Sequence, residues 1–292
     1  MSEGASARAE ARSEAAANRL AHGDCLEVTA RYASDAFPLI YLDPPFNTGS
    51  RRSVTRLRVA RDESAARVGF GGRRYAVTRG EKRSFGDAFD DYAAWLEPRL
   101  REAHRLLRGD GTLYLHLDYR EVHYAKVLLD GIFGRPNFLN EVIWAYDYGG
   151  RSRTRWPPKH DNILVYVKDR ERYVFNYADM DREPYMAPGL VGPEKAARGK
   201  TPTDTWWHTV VPTGGTERTG YPTQKPLGVL SRIVRASSRP GDVVLDFFCG
   251  SGTTGVAAHQ AGRRFVMVDS SAEAIRVTSA RLDRLGIPYT RA

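Results

Sequence analysis

The sequence is poor in the residues that would staple a small fold or hold a metal. Its 292 residues contain two cysteines, Cys25 and Cys249, far apart and with no second Cys or His at ligand spacing, so neither a disulfide framework nor a zinc site is expected. Cys249 is open to reading as a reactive nucleophile, but a small buried filler fits better, because Cys is among the most buried residue types. No run approaches the roughly 18 apolar residues of a membrane span. Apart from Met1 and Gly4 the first 17 residues are Ala, Arg, Glu and Ser with no apolar stretch, so a cytoplasmic protein with no membrane partner and a loose tail over 1–18 is the expectation. With 41% hydrophobic and 27% charged residues the chain is too apolar for disorder, and its length suits one large α/β domain with insertions.

Acidic charge is scarce in one place above all. The formal net charge is +9, yet between Arg51 and Arg83 eleven Lys or Arg, among them Arg51, Arg52, Arg73 and Arg74, meet only three acids. That segment carries +8 in 33 residues and the other 259 carry +1. Such an excess reads as a nucleic-acid-facing loop or as a solvated, disordered one. Alternation over Val54 to Val59 and Tyr75 to Thr78 is compatible with a hairpin inside it.

Elsewhere the pattern alternates between buried strands and amphipathic helices. Pro38 to Leu42 is an apolar run stopped by Asp43-Pro44-Pro45-Phe46. Helical spacing follows from Tyr92 to Leu107, with Pro98 expected to restart or kink it, then a Gly109-Asp110-Gly111 turn, a strand over Thr112 to Leu117 and a helix over Val122 to Leu129. Residues 147–220 are rich in Pro, Gly, Thr and Arg, with one clear strand at Ile163 to Val167, and read as an inserted module. Pro226 opens a helix through Ser237, and Val243 to Phe247 is a strand running into a glycine-rich loop. A helix over 253–261, a strand at Phe265 to Val268 and a helix from Ala272 end the chain. Strand, helix, strand, helix favours a mostly parallel sheet with helices on both faces.

Two constellations carry chemistry. In Asp246-Phe247-Phe248-Cys249-Gly250-Ser251-Gly252-Thr253-Thr254-Gly255, between a strand and a helix, the glycines give a tight turn and let a ligand approach backbone N–H groups at a helix N-terminus. Asp269, nineteen residues after Gly250 at the end of the next strand, is placed to accept from ribose hydroxyls. Only 37 residues follow Gly255, too few for the second half of a dinucleotide fold, so a cofactor with one nucleoside fits better than NAD. The second constellation is Asp43-Pro44-Pro45-Phe46 at the carboxyl end of a buried strand, where open α/β sheets place ligands. The prolines stiffen the turn, so that the Asp43 carboxylate and the Pro44 carbonyl can face one way. Two acceptors gripping both N–H bonds of an aromatic amine would make its delocalised lone pair available, and Phe46 offers a flat face to a base that has left the helix.

Taken together, Asp43-Pro44-Pro45-Phe46-Asn47 and Phe248-x-Gly250-x-Gly252-Thr253-Thr254 resemble the signature of bacterial amino-group DNA methyltransferases. The catalytic motif precedes the cofactor motif, as in the β group of that family. Gly23-Asp24, Thr223-Gln224-Lys225-Pro226 and Lys159-His160-Asp161 extend the likeness over roughly residues 19–285. The resemblance implies a Rossmann-like fold, S-adenosylmethionine as cofactor and double-stranded DNA as partner, and it admits a cognate restriction endonuclease and a homodimer. It divides the chain into a catalytic half (19–146, including the basic loop 51–83), a target-recognition region (147–220) and a cofactor-binding half (221–292). It would line the methionine moiety with Asp246, Phe248, Gly250 and Gly252, within a cofactor site running from Phe247 through Cys249, Ser251, Thr253 and Thr254. Asp269 with Ser270 would serve the ribose, Asp24 and Cys25 the adenine end, and Lys225 the cofactor carboxylate region. Asp43, Pro44, Pro45 and Phe46 would hold the base, and Arg151, Arg153, Arg155 and Lys159 would contact phosphates or bases. The expected reaction is direct transfer to an exocyclic amine, adenine N6 ahead of cytosine N4, with no metal. An RNA or small-molecule methyltransferase and an inactive DNA-binding relative are the rivals. His116, Asp118, Trp206, Trp207 and His208 are read as core or surface residues.

Overall fold

A computed structural model describes residues 17–48, 52–61, 67–68, 74–85 and 89–292, with only the backbone of the strands between 52 and 85. The chain divides into two compact units. One comprises residues up to Pro44 and from Asp91 onward, and the other runs from Pro45 to Asp90.

In chain order the larger unit begins with β1 (Arg19–His22), α1 (Cys25–Thr29) and β2 (Phe37–Leu42). The smaller unit then contributes β3 (Arg52–Arg61), β4 (Arg67–Val68) and β5 (Arg74–Phe85). The larger unit resumes with α2 (Tyr92–Leu106), β6 (Leu107–Leu117), α3 (Val122–Phe133), β7 (Phe138–Ala145) and β8 (His160–Val167). It ends with α4 (Pro193–Arg198), β9 (Thr205–Trp207), α5 (Leu227–Ala236), β10 (Val243–Asp246), α6 (Thr253–Gln260), β11 (Arg264–Asp269), α7 (Ala272–Arg284) and β12 (Thr290–Arg291).

Nine strands form one sheet in the order β12-β1-β11-β10-β2-β6-β8-β7-β9. Pairing is parallel from β12 to β6, antiparallel at β6–β8 and β8–β7, and parallel again at β7–β9. The sheet is therefore mostly parallel and Rossmann-like, as expected. β2 is buried at every position and β10 likewise, which is what strands covered on both faces require. Strand order reverses between β10 and β2, whose Leu245 and Ile40 are paired in register, so the crevice for a ligand opens at their carboxyl ends.

Several local expectations are corrected. Helix α2 runs unbroken through Pro98. Tyr92, Leu96, Leu100, Ala103 and Leu106 are all buried along it, and burial at about 1.5–3 kcal/mol per large side chain outweighs the roughly 3 kcal/mol that an interior proline costs. Gly109-Asp110-Gly111, expected as a turn, lies within β6 as an irregularity, since Phe37 pairs with Leu107 but Leu39 with Thr112. Segment 147–220, read with one clear strand, contributes two, β8 and the short β9, both in the main sheet. The basic segment, expected as a loop with a hairpin in it, contains a three-stranded antiparallel sheet in which β5 pairs with both β3 and β4, with Val59 opposite Val77. No helix among the described residues is long and apolar enough to cross a membrane.

Candidate active site

The crevice collects side chains from both halves of the sequence. Asp43 follows β2 directly, and its Oδ1 accepts from Lys225 Nζ at 2.7 Å across 182 residues. Both side chains are nearly buried, at 14% and 10% exposure, so the ion pair is shielded from water and salt. Pro44 is buried beside it. The division into two units falls at the middle of the motif, placing Pro45 and Phe46 in the smaller unit. There Asn47, at φ 53°, accepts through its side chain from the Phe89 backbone N–H at 3.0 Å.

The loop between β10 and α6 is built from the inside. Asp246 Oδ1 accepts from Phe248 N at 3.0 Å and its Oδ2 from the Thr254 hydroxyl at 2.6 Å. Burial, the dominant cause, raises this carboxyl to about 7. Asp269, at the end of β11, accepts from the backbone N–H of Gly250 at 2.8 Å and of Ser271 at 2.9 Å, while burial pushes its carboxyl above the usual range. Gly250 sits at φ 51°, with the Tyr221 ring where a Cβ would meet it at 3.2 Å. Gly252 sits at φ 74°, with Thr278 Cγ2 2.6 Å from any Cβ. Cys249 is buried and its thiol is pushed well up by burial, as a filler rather than a nucleophile requires. Phe247 and Ser251 are buried, and Ser270 is exposed.

The remaining predicted residues fall around this loop. Asp24 caps α1 by accepting from Leu26 N at 2.8 Å, and its other oxygen meets Arg99 at 3.3 Å. Cys25 is buried behind it, its thiol raised by burial. Gly23 donates to the Asp269 carbonyl at 3.1 Å, which joins the Asp24 turn to the end of β11. Arg151, Arg153 and Arg155 are exposed, whereas Lys159 folds back so that its ammonium donates to the carbonyls of Tyr148, Gly149 and Gly150. Arg51 and Arg73 lie outside the described residues, and Arg52 and Arg74 open β3 and β5.

Four contributors escaped the sequence reading. The Trp95 ring lies 5.8 Å from the Phe248 ring, and the Arg99 guanidinium sits over the Trp95 ring, 4.2 Å from its centroid. Tyr221 overlies Gly250. Arg281, buried on α7, donates to Ser251 O at 3.1 Å and Thr253 Oγ1 at 2.8 Å, and burial brings it down to about 10. Glu217 accepts from Leu227 N at 3.0 Å and faces Arg281 at 3.8 Å. Arg281 alone left a signal, since it falls three residues after buried Thr278 and seven after Ala274 on the core stripe of α7. The residues read as core or surface divide accordingly. His116 is buried between Tyr41 Oη at 2.8 Å and Asp161 at 3.2 Å, Asp118 and Trp206 are buried, and Trp207 is exposed.

A glycine loop opening a helix, two shielded carboxylates and an acidic strand end beside it form, at the reversal point of an α/β sheet, the kind of crevice that takes a nucleoside-bearing ligand. Gly250 and Gly252, both at positive φ with Tyr221 and Thr278 filling the places a Cβ would take, turn the chain tightly into the N-terminus of α6 beside the Asp269 carboxylate, and this donor set fits S-adenosylmethionine. The family model described as DNA methylase, for N6 and N4 methyltransferases, matches residues 37–280. DNA adenine methyltransferase YhdJ of Escherichia coli (strain K12) is 28% identical over 91% of this chain and 83% of its own length. Type II methyltransferase M.HpaI of Haemophilus parainfluenzae is 27% identical over 91% and 74%. Among solved structures, the complex of M1.HpyAVI with S-adenosylmethionine superimposes with a TM-score of 0.58 at 21% identity, over 91% of this chain and 98% of that one. The cytosine-N4-specific PvuII DNA methyltransferase gives 0.61 at 15% identity, over 90% and 86%. The chain belongs to the amino-group DNA methylase family, whose members are S-adenosylmethionine-dependent DNA methyltransferases.

Proposed function

We propose that this protein methylates the exocyclic amino group of a flipped base in double-stranded DNA, adenine N6 in preference to cytosine N4. The observation that carries the reading is the juxtaposition of Asp43 with the glycine loop at the reversal point of the sheet, since the acceptor for the amine and the loop for the methyl donor then share one crevice. Asp at the first motif position, and a relative named as an adenine methyltransferase, support adenine.

S-Adenosylmethionine, when bound, supplies a sulfonium methyl that is already activated for transfer. The task of the chain is positioning. Asp43, with Oδ1 held by Lys225, presents its remaining oxygen and the Pro44 carbonyl to the two N–H bonds of the amine, orienting the nitrogen lone pair. Phe46 stacks on the extruded base. Asp269 receives the ribose hydroxyls, the Asp246 to Thr254 loop takes the methionine end, and Asp24 with Cys25 borders the adenine. Arg151, Arg153, Arg155 and the basic β3–β5 sheet face phosphates, as basic surface does in this chemistry.

The direct test is to incubate DNA with the protein and labelled S-adenosylmethionine, digest the product to nucleosides and identify the methylated one. N6-Methyladenine is expected, with Asp43→Ala binding cofactor and DNA but failing in single turnover. N4-Methylcytosine as the sole product would overturn the base assignment and leave the class intact.

A further inference from the structure

The connection between β7 and β8 is a tied loop with an unburied tryptophan in an arginine-rich tip. Register places it. Leu42 pairs with Leu115 and Leu115 with Leu164, so β8, starting at His160, overshoots the carboxyl end of β2 by four residues, about 13 Å at 3.3 Å per residue. β8 lies two strands from β2, about 10 Å sideways. Loop 146–159 therefore rises from the edge of the sheet that bears Asp43. Its stems are fixed: Tyr146 N donates to Lys159 O at 2.8 Å, Tyr146 Oη donates to Asp161 at 3.0 Å, and the Lys159 ammonium gathers three carbonyls of residues 148–150. Arg155 reaches Tyr119 Oη at 3.5 Å, which brings the tip over the segment that follows β6.

At that tip Trp156 is 95% exposed, a large apolar surface that folding leaves in water. Pro157 and Pro158 restrict the backbone after it, so the ring stays presented. Residues 146–159 hold four Lys or Arg against one acid, Asp147, whose exposed pairing with Arg151 at 3.3 Å is open to exchange for a phosphate, and the net excess is suited to a polyanion. We propose that Trp156 is the wedge that enters the duplex where the target base leaves it, stacking on the neighbouring bases while Arg151, Arg153 and Arg155 hold the flanking phosphates. The proposal rests on the reading that the enzyme extrudes its target base. Extrusion leaves a gap with two exposed base faces, and an inserted aromatic side chain recovers the lost stacking. Trp207 supplies the contrast. It is 78% exposed at the same end of the sheet, but on β9, four strands from β2 and without that basic loop.

The test uses the full chain and duplexes carrying 2-aminopurine at the methylated position, once that position has been mapped in product DNA. Trp156→Ala should lower both the fluorescence rise on binding and the single-turnover methylation rate on a matched duplex by about tenfold or more, the loss of one base stack. Trp156→Phe should recover most of each, and Trp207→Ala should change neither. On a duplex whose target base faces a mismatch, extrusion is already cheap, and the Trp156→Ala defect should shrink. Wild-type behaviour of Trp156→Ala on the matched duplex, or an equal defect on both duplexes, overturns the wedge while leaving the methyltransferase reading in place. Absence of any methylated nucleoside with the wild-type protein removes both.

Discussion

Asp246 and Lys225 show how single side chains here answer to partners that are remote in sequence. Burial raises the Asp246 carboxyl to about 7, so the folded protein keeps a proton that the unfolded chain, titrating near 3.9, releases. The stability this group contributes is complete below the unfolded value and is lost as pH rises through the folded one, at roughly 1.4 kcal/mol for each pH unit of that window. Asp246→Asn keeps the acceptor for Phe248 N and should flatten the decline, which urea titrations at about pH 5 and pH 8 would measure. Curves that stay parallel would show that Asp246 titrates as an ordinary carboxyl. Lys225 was expected at the cofactor carboxylate but pairs with Asp43. Lys225→Gln should then leave the dissociation constant for S-adenosylmethionine within about threefold while lowering the single-turnover rate at least about tenfold. The reverse split would return Lys225 to the cofactor. Asp43, Asp246 and Asp269 were legible because each ends an apolar run, Asp43 directly before Pro44, Asp246 four residues before Gly250 and Asp269 nineteen residues after it. The Lys225 pairing and the Arg281 clasp were not, because nothing local encodes contacts 182 and 30 residues apart.

At the scale of elements, continuous apolar runs were readable and short or mixed ones were not. β2, β8, β10 and β11 are buried almost throughout and announce themselves, whereas β7 reads Phe-Leu-Asn-Glu-Val-Ile-Trp-Ala, exposing Asn140, and β1, β9 and β12 have two to four residues each. The glycine loop was legible as a motif, but the reason for each glycine is tertiary. A Cβ at Gly252 meets Thr278, whose hydroxyl donates to Gly250 O at 2.9 Å, so a methyl group there strains the backbone and also pushes on the clasp of the loop. Gly262, at φ 73° with open space around it, isolates the first effect. Both Gly252→Ala and Gly262→Ala should lose about 1–2 kcal/mol from the left-handed conformation. Only Gly252→Ala should also weaken S-adenosylmethionine binding, as calorimetry on the two variants would show. Equal affinities would mean that the loop accommodates the methyl group.

For the whole molecule, strand, helix and order of motifs were enough to expect a mostly parallel sheet, but not its strand order, since the pairing of β1 with β11 and of β2 with β10 joins opposite ends of the chain. The unit of Pro45 to Asp90 was visible as a charge excess and as a candidate hairpin, but not as a unit of its own. Within that unit eleven basic residues stand against five acids, Asp62, Glu63, Glu81, Asp87 and Asp90, which puts +6 on a small body. A body so charged gains little from folding alone and much from a polyanion, whose condensed counterions it releases on binding. The Asn47 side chain meets the Phe89 backbone, so the two ends of the excursion lie together and a short linker can close the chain behind them. Replacing residues 51–86 with a Gly-Ser linker should therefore leave the larger unit folded and its S-adenosylmethionine affinity unchanged. Each phosphate contact removed should make the slope of log affinity against log salt shallower by about 0.9. Because only a fraction of eleven basic side chains can reach phosphates at once, a change of several units is expected, with binding weakened for all duplex sequences alike. A linker variant that kept the wild-type slope would assign the phosphate contacts to Arg151, Arg153 and Arg155 and leave the basic sheet without a part in DNA binding.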